Sequence, residues 1–270
     1  MSSRWLRLRE PADARARARE LSAQLEGRGP SASWVVHDLG CGDGSMLRWL
    51  APLLDGPQHW VLHDRDPDLL AAAGAMPAPA SADGAAVTVE TRLGDITRLG
   101  PGDLAGASLV TASALLDMFT AQELGRFVAS CVAAGCPVLV TLTVTGSAQL
   151  DPPDPLDPVL AAAFDGHQQR TTGGRTLLGP DAAQAAVDAF RAAGWEVQTS
   201  PAPWHLGAGD GDLLAEWLHG WVRAACEQQP ELAAAGAAHL ARRAAELGAG
   251  RLSATVPHLD LLARPPAVGR

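Results

Sequence analysis

The 270-residue sequence contains no Lys, no Tyr and no Asn, and its single Ile is Ile96. Without Lys there is no Schiff-base amine, no pyridoxal-phosphate linkage and no Walker P-loop. Arg alone carries positive charge, and the formal net charge is −9. That balance argues against a nucleic-acid partner, because phosphate binding needs a basic surface. The four cysteines, Cys41, Cys131, Cys136 and Cys226, form no CxxC pair and sit at no metal-ligand spacing. They read as reduced thiols of a cytoplasmic protein without a metal site. No run approaches the roughly 18 apolar residues of a membrane span. The Arg-rich N-terminus also lacks the apolar stretch of a secretory signal. The expectation is therefore a soluble, intracellular chain with no membrane partner. Abundant Ala, Gly, Arg and Pro fit a GC-rich coding bias.

What is present is an alternation. Residues 10–26, "EPADARARARELSAQLE", suit a helix with Pro11 in its first turn, ended by Gly27, Gly29 and Pro30. Its arginines, interleaved with Ala and diluted by Glu10, Asp13 and Glu20, read as a solvated face. From Ser33 strands and helices alternate: "WVVHDL", "SMLRWLAPLL", "HWVLHD", "PDLLAAAGAM", "AVTVETRLGD", "GASLVTASALLD", "QELGRFVASCVAAG" and "PVLVTLTVTG". This rhythm implies a mostly parallel sheet with helices on both faces. The sequence then changes character. A rigid "DPPDPLDP" loop falls within 147–158, followed by a short helix through "PVLAAAFDGHQQR" and a crossover helix at 179–194. Next come a strand with a Pro-bounded loop (195–206), two helices split by Pro230, and a final strand in "GRLSATVPHLDLLARPP". The division is one domain over 1–270: an N-terminal helical segment (1–30), a core (31–146), acceptor-side helices with the crossover helix and strand six (147–248), and a last strand and tail (249–270).

The stretch "VVHDLGCGDGSMLRWLA" places Gly40, Gly42 and Gly44 on alternate positions between a strand and a helix. In parallel sheets ligands sit beyond the carboxyl ends of the strands at the switch point, where this turn falls. The dinucleotide fingerprint GxGxxG needs a glycine where Ser45 stands. Asp38, Asp43, Asp64 and Asp66 crowd the predicted ends of the first two strands. They would repel a pyrophosphate and welcome a ligand carrying ammonium, sulfonium and ribose hydroxyls.

Here the sequence resembles the class I S-adenosylmethionine-dependent methyltransferases. "VVHDLGCGDG" is similar to their first motif, "VLHDRDP" to the second, "RLGDITRL" to the third and "LVTASALLDMF" to the fourth-strand motif, in order across 33–145. The resemblance implies a Rossmann-like, seven-stranded, mostly parallel sheet with helical insertions in the C-terminal half, and S-adenosyl-L-methionine as cofactor. It implies a cofactor site of Asp38, Gly40, Cys41, Gly42 and Gly44 from the first motif. From the second come Asp64, on the ribose hydroxyls, and Arg65. The third gives Asp95 on the adenine amino group and Ile96 on the ring; Ser113 lies near the methionine end. Taken singly, Asp64 is a helix N-cap candidate and Asp95 a turn residue. The fourth motif lacks the Asn/Asp-Pro-Pro-aromatic signature of many nucleic-acid amino methyltransferases, which favours a small-molecule acceptor.

The acceptor pocket is expected beyond strands four and five. Asp117 and His167 are the candidate catalytic residues, and Arg170 a candidate anion contact. Trp204, Trp217 and Trp221 read either as a lid over a planar or cationic acceptor or as core packing; His167 reads equally as a helix-surface residue. The expected function is methyl transfer to oxygen or nitrogen of a small molecule by in-line displacement. The alternatives are a non-catalytic cofactor-binding partner or sensor and an NAD-linked oxidoreductase. The acceptor and the oligomeric state are left open by the sequence.

Overall fold

A computed structural model describes residues 2–25 and 33–266. The chain opens with α1 (Ser3–Ala16), started by Ser2, whose hydroxyl accepts from the Trp5 backbone N–H at 3.3 Å. The helix begins well before Glu10, so Pro11 lies inside it and not in its first turn. It ends at Ala16 and is followed by α2 (Arg19–Ser22). The expected stop at Gly27, Gly29 and Pro30 falls outside the described residues. The Arg-rich face is solvated only in part: Arg15 and Arg19 are exposed, while Arg17 is buried, as are Asp13 and the preceding Arg9. Positions 9, 13 and 17 recur every four residues, which carries one stripe of the segment inward. The alternating Arg-Ala text conceals that stripe.

The main sheet contains β1 (Trp34–Leu39), β2 (Gln58–Asp64), β3 (Val87–Leu93), β4 (Leu109–Ser113) and β5 (Val138–Val144), paired in parallel in the order β3-β2-β1-β4-β5. They are linked through α3 (Ser45–Leu50), α4 (Pro67–Ala75) and α5 (Ala121–Ala134). Local chemistry sets the boundaries. Asp66 caps α4 by accepting from the Asp68 and Leu69 N–H groups, with Pro67 at the first helical position. Thr120 and Glu123 form a capping box on α5, and Gly135 closes it at φ 65°.

The C-terminal half adds β6 (Gln149–Asp151), α6 (Asp157–Gln168), a two-residue-per-arm hairpin β7 (Thr171–Thr172) and β8 (Arg175–Thr176), and α7 (Ala182–Ala192). Then come β9 (Glu196–Pro201), β10 (Trp204–Leu206), α8 (Gly211–Gln228), α9 (Ala233–Gly248), β11 (Ser253–Val256) and β12 (His258–Arg264). Strand β12 inserts antiparallel between β5 and β9, completing seven strands. Three elements differ from the sequence reading. The 147–158 loop contains β6, the Pro-bounded loop contains β10, and the final strand is two strands broken at Pro257. Together β10, β11 and β6 make a small antiparallel sheet. Three- and four-residue strands are too short to show an alternating pattern.

Apolar side chains pack on both faces of the main sheet, under α5 and α7 on one side and around α3 on the other. A third cluster joins α1, α6, α8 and the small sheet through Trp204, Trp217 and Trp221. No helix among the described residues is long and apolar enough to cross a membrane.

Candidate functional site

The glycine turn is built as its composition demands. Gly40, Gly42 and Gly44 adopt φ of 70°, 57° and 87°, a region that a side chain disfavours. The Gly40 and Cys41 N–H groups donate to the His63 carbonyl at 2.8 and 3.0 Å, tying the turn to the end of β2. A Cβ on Gly40 would meet Leu115 at 3.0 Å and Ile96 at 3.5 Å. Its absence keeps a hollow open at the carboxyl ends of β1, β2 and β4. Gly44 caps α3 and, unlike Gly40 and Gly42, does not border the hollow.

That hollow is a cavity of about 690 Å³, within the usual range for small-molecule and cofactor sites. It gathers Asp38, Gly40, Cys41, Gly42, Asp64, Arg65, Asp95, Ile96, Ser113, Asp117, His167 and Arg170 from the sequence-derived set. Asp43 and Asp66 border it too, as do Arg9 and Asp13 from α1, of which the sequence reading placed Asp13 on a solvated face.

The carboxylates differ in what they already hold. Asp64 accepts from the Gly42 N–H at 2.9 Å with one oxygen and from the Asp66 N–H at 2.9 Å with the other. Each oxygen keeps lone-pair capacity for a further donor. The cap of α4 is Asp66, not Asp64. Asp95 caps a short turn, accepting from the Thr97 N–H and hydroxyl, and these bonds hold its carboxyl below the usual range. Asp43 pairs with Arg48 at 3.0 Å, which also grips Glu10 of α1 at 2.6 Å.

Asp38 is the exception. It is buried, with one oxygen accepting from Thr111 at 2.8 Å and the other without a partner among the described residues. Burial pushes its carboxyl up to about 7, against the lowering pull of Thr111 and Arg17. Burial, with Asp38 and Asp64 close by, also raises the Cys41 thiol, so it stays protonated and unreactive.

Beneath this floor lies Arg17, 2% exposed. Its Nη2 donates to Ser45 and Ser113 at 3.2 and 3.1 Å, and its guanidinium stacks 5.3 Å from the Trp49 ring centre. Ser113 thus serves both the cavity wall and the Arg17 anchor. No local signal marked Arg17, because its partners come from two distant elements, α3 and β4.

On the far side, His167 borders the cavity with both ring nitrogens engaged. Arg170 donates to Nδ1 at 3.0 Å, so Nε2 carries the hydrogen toward Glu227 at 3.1 Å. Neither nitrogen keeps a lone pair for another proton. Asp117 stands in the short turn after β4, and burial raises its carboxyl. Trp204, Trp217 and Trp221 do not border the main cavity. They line a second chamber of about 160 Å³ that shares Arg9, Ala114, Asp117, Met118, Phe164 and Gln168 with the first.

The structure also groups Asp154, Asp157 and His239 within 4.8 Å, a constellation that linear spacing had hidden. Arg242 and Arg243 already hold the two carboxylates at 2.8 and 2.5 Å.

No family model matches the sequence, and no curated protein matches it. Among solved structures, the cyclopropane synthase MmaA2 from Mycobacterium tuberculosis aligns over 98% of this chain and 95% of its own, at 13% identity and TM-score 0.53. A methyltransferase from Geobacter sulfurreducens in complex with S-adenosyl-L-homocysteine covers 98% of both chains at 17% identity, TM-score 0.43. The mycolic acid cyclopropane synthase CmaA1, complexed with S-adenosylhomocysteine, aligns over 90% of this chain and 83% of its own at 13% identity, TM-score 0.49. With its sheet order β3-β2-β1-β4-β5-β12-β9 and its likeness to MmaA2, the chain has the class I methyltransferase fold.

Proposed function

We propose that the protein transfers a methyl group from S-adenosylmethionine to oxygen or nitrogen of a small-molecule acceptor. The observation that carries this reading is the acidic, glycine-lined cavity at the switch point between β1 and β4. Seven aspartates border it against four arginines, a balance suited to a cationic nucleoside and hostile to a diphosphate. The cofactor, when bound, supplies a methyl group on a sulfonium that departs as a neutral thioether. The protein's own work is then alignment, exclusion of water and proton removal.

In this reading the spare lone pairs of Asp64 take the ribose hydroxyls, Asp95 takes the adenine amino group, and Ile96 covers the ring. Arg65 lies at the rim, and Ser113 borders the methionine end. Asp117 is the group that takes the acceptor's proton. It borders both cavities, and burial holds its carboxyl above the ordinary range. His167 and Arg170 form a wall, since both nitrogens of His167 are occupied.

Calorimetric titration tests the reading directly. S-adenosylhomocysteine binds at one site and NADH does not; binding of NADH alone would overturn it. Asp38 adds a pH signature. With its carboxyl at about 7, ionisation is completed as pH rises through neutrality, and the ionised form attracts the ligand's ammonium. Affinity for S-adenosylhomocysteine therefore falls below pH 7, by up to about tenfold per unit. Asp38→Asn flattens the profile between pH 6 and 8. An unchanged slope in that variant would remove Asp38 from the electrostatics of the site.

A further inference from the structure

A second chamber opens off the main cavity. Its walls include Trp5, Trp204, Trp217 and Trp221 with Phe164, Leu142 and Val256, an apolar and aromatic surface. Trp217 and Trp221 lie stacked, 5.6 Å between ring centres and 17° from parallel. Trp204 packs 5.2 Å from His258. The chamber's volume of about 160 Å³ is a strong limit. An apolar cavity of about 150 Å³ holds one benzene. A fused ring system or an acyl chain exceeds the chamber itself and would reach into the main cavity that the cofactor occupies.

Three buried polar atoms of the lining residues have no partner among the described residues: Trp221 Nε1, His258 Nδ1 and Gln168 Oε1. Trp221 is 2% exposed and His258 8%. Burial pushes His258 down to about 3, so its ring is neutral. A buried polar atom left unpaired is costly. Trp221 and His258 line the chamber alone, although these nitrogens are themselves closed off from its open space. Gln168 belongs to the junction with the main cavity, where Asp117 and Arg9 also stand. Ala114, at φ 50° directly after β4, borders both spaces.

We propose that the chamber is the acceptor site and takes a single-ring aromatic molecule whose hydroxyl lies at the junction. The deepening rests on the methyl-transfer reading above, but the chamber's occupancy does not. The ring stacks among the indoles. At the junction the hydroxyl proton passes to the Asp117 carboxylate, and an oxygen lone pair forms the new bond to the methyl carbon. The carbon–sulfur bond breaks with its electron pair staying on sulfur. The products are a methyl aryl ether, the neutral thioether and protonated Asp117, so charge and atoms balance. The Arg9 guanidinium borders the same junction but is already paired with Asp13 at 2.8 and 3.2 Å, so the preference for a phenol over an arylamine rests on proton transfer to Asp117.

The test titrates wild-type protein with phenol, aniline, cyclohexanol and 1-naphthol, following tryptophan fluorescence with and without S-adenosylhomocysteine. Phenol gives saturable quenching; cyclohexanol and 1-naphthol bind at least tenfold more weakly. With S-adenosylmethionine present, mass spectrometry finds anisole. Ala148→Phe, which fills the chamber from a loop beside β6, weakens phenol at least tenfold and leaves S-adenosylhomocysteine affinity unchanged. Absence of phenol binding, or equal binding by Ala148→Phe, overturns the chamber assignment even if the cofactor binds. Methylated aniline without anisole overturns the hydroxyl. Failure of S-adenosylhomocysteine to bind overturns the functional reading instead, and the phenol titration without it still decides the chamber.

Discussion

Asp64→Ala lowers affinity for S-adenosylhomocysteine by two to three orders of magnitude. The carboxylate already braces the turn, accepting from the Gly42 and Asp66 N–H groups at 2.9 Å each. Its two oxygens are the acceptors best placed for vicinal hydroxyls. Hydrogen bonds to a charged group contribute roughly 1.5–3 kcal/mol each, so losing two sets a ceiling of about 6 kcal/mol. The turn relaxes when its brace goes, and water takes part of the lost role. These bring the expected effect to about 3–4 kcal/mol. Asp64→Asn keeps one acceptor oxygen and the side-chain shape, so it loses only about tenfold. Calorimetry on both variants, with circular dichroism to verify folding, separates recognition from collapse. A folded Asp64→Ala protein that binds within threefold of wild type would remove Asp64 from the site.

The parts legible in the sequence share one property: their chemistry lies within a few consecutive residues. The Gly40–Gly44 turn, Asp64 at the end of β2 and Asp95 at its short turn each carry a local signal, and the structure brings Gly40, Gly42, Asp64 and Asp95 to one cavity. Strands β1, β2, β4 and β5 were legible for the same reason, since each is long enough to show a buried run, and β3 through its alternation of Val with polar residues. What was hidden depends on long-range encounters. Asp13 reads as a surface residue and Arg9 carries no signal, yet Arg9 lies 5.1 Å over the Trp204 ring and Asp13 accepts from the Trp204 indole at 3.0 Å. Nothing within the first 25 residues forecasts a tryptophan almost two hundred positions later. The small sheet was hidden because β6, β10 and β11 are stabilised by one another, not by their own patterns.

Arg17 gives the second large effect, and its sign depends on pH. The guanidinium is buried, and burial lowers its own proton affinity against the pull of Asp13, Asp38 and Asp260. Asp260 is fully buried, accepts from the Ala18 and Leu142 N–H groups at 2.8 and 2.6 Å, and is pushed up to about 6. Asp38 stands at about 7. A folded carboxyl raised above its unfolded value binds more protons than the unfolded chain, so it weakens the fold as pH rises toward its folded pKa. Arg17 limits that loss by stabilising both ionised forms. At pH 5 both carboxyls are protonated, and Arg17 is a buried cation with unpartnered Nε and Nη1. Arg17→Met then costs little, because it removes a desolvated charge and keeps the apolar bulk. At pH 8 both carboxylates are ionised in the wild type, and the variant leaves them buried without their cation. The expected loss is on the order of 3–5 kcal/mol, or about 10 °C in Tm for a chain of this size. The measurement is the difference in Tm between wild type and Arg17→Met from pH 5 to 8, in which contributions common to both proteins, such as His37 and His63, cancel. A difference that stays constant across that range would mean that Arg17 acts through packing against Trp49 and its bonds to Ser45 and Ser113, and not through the charges beneath the cavity floor.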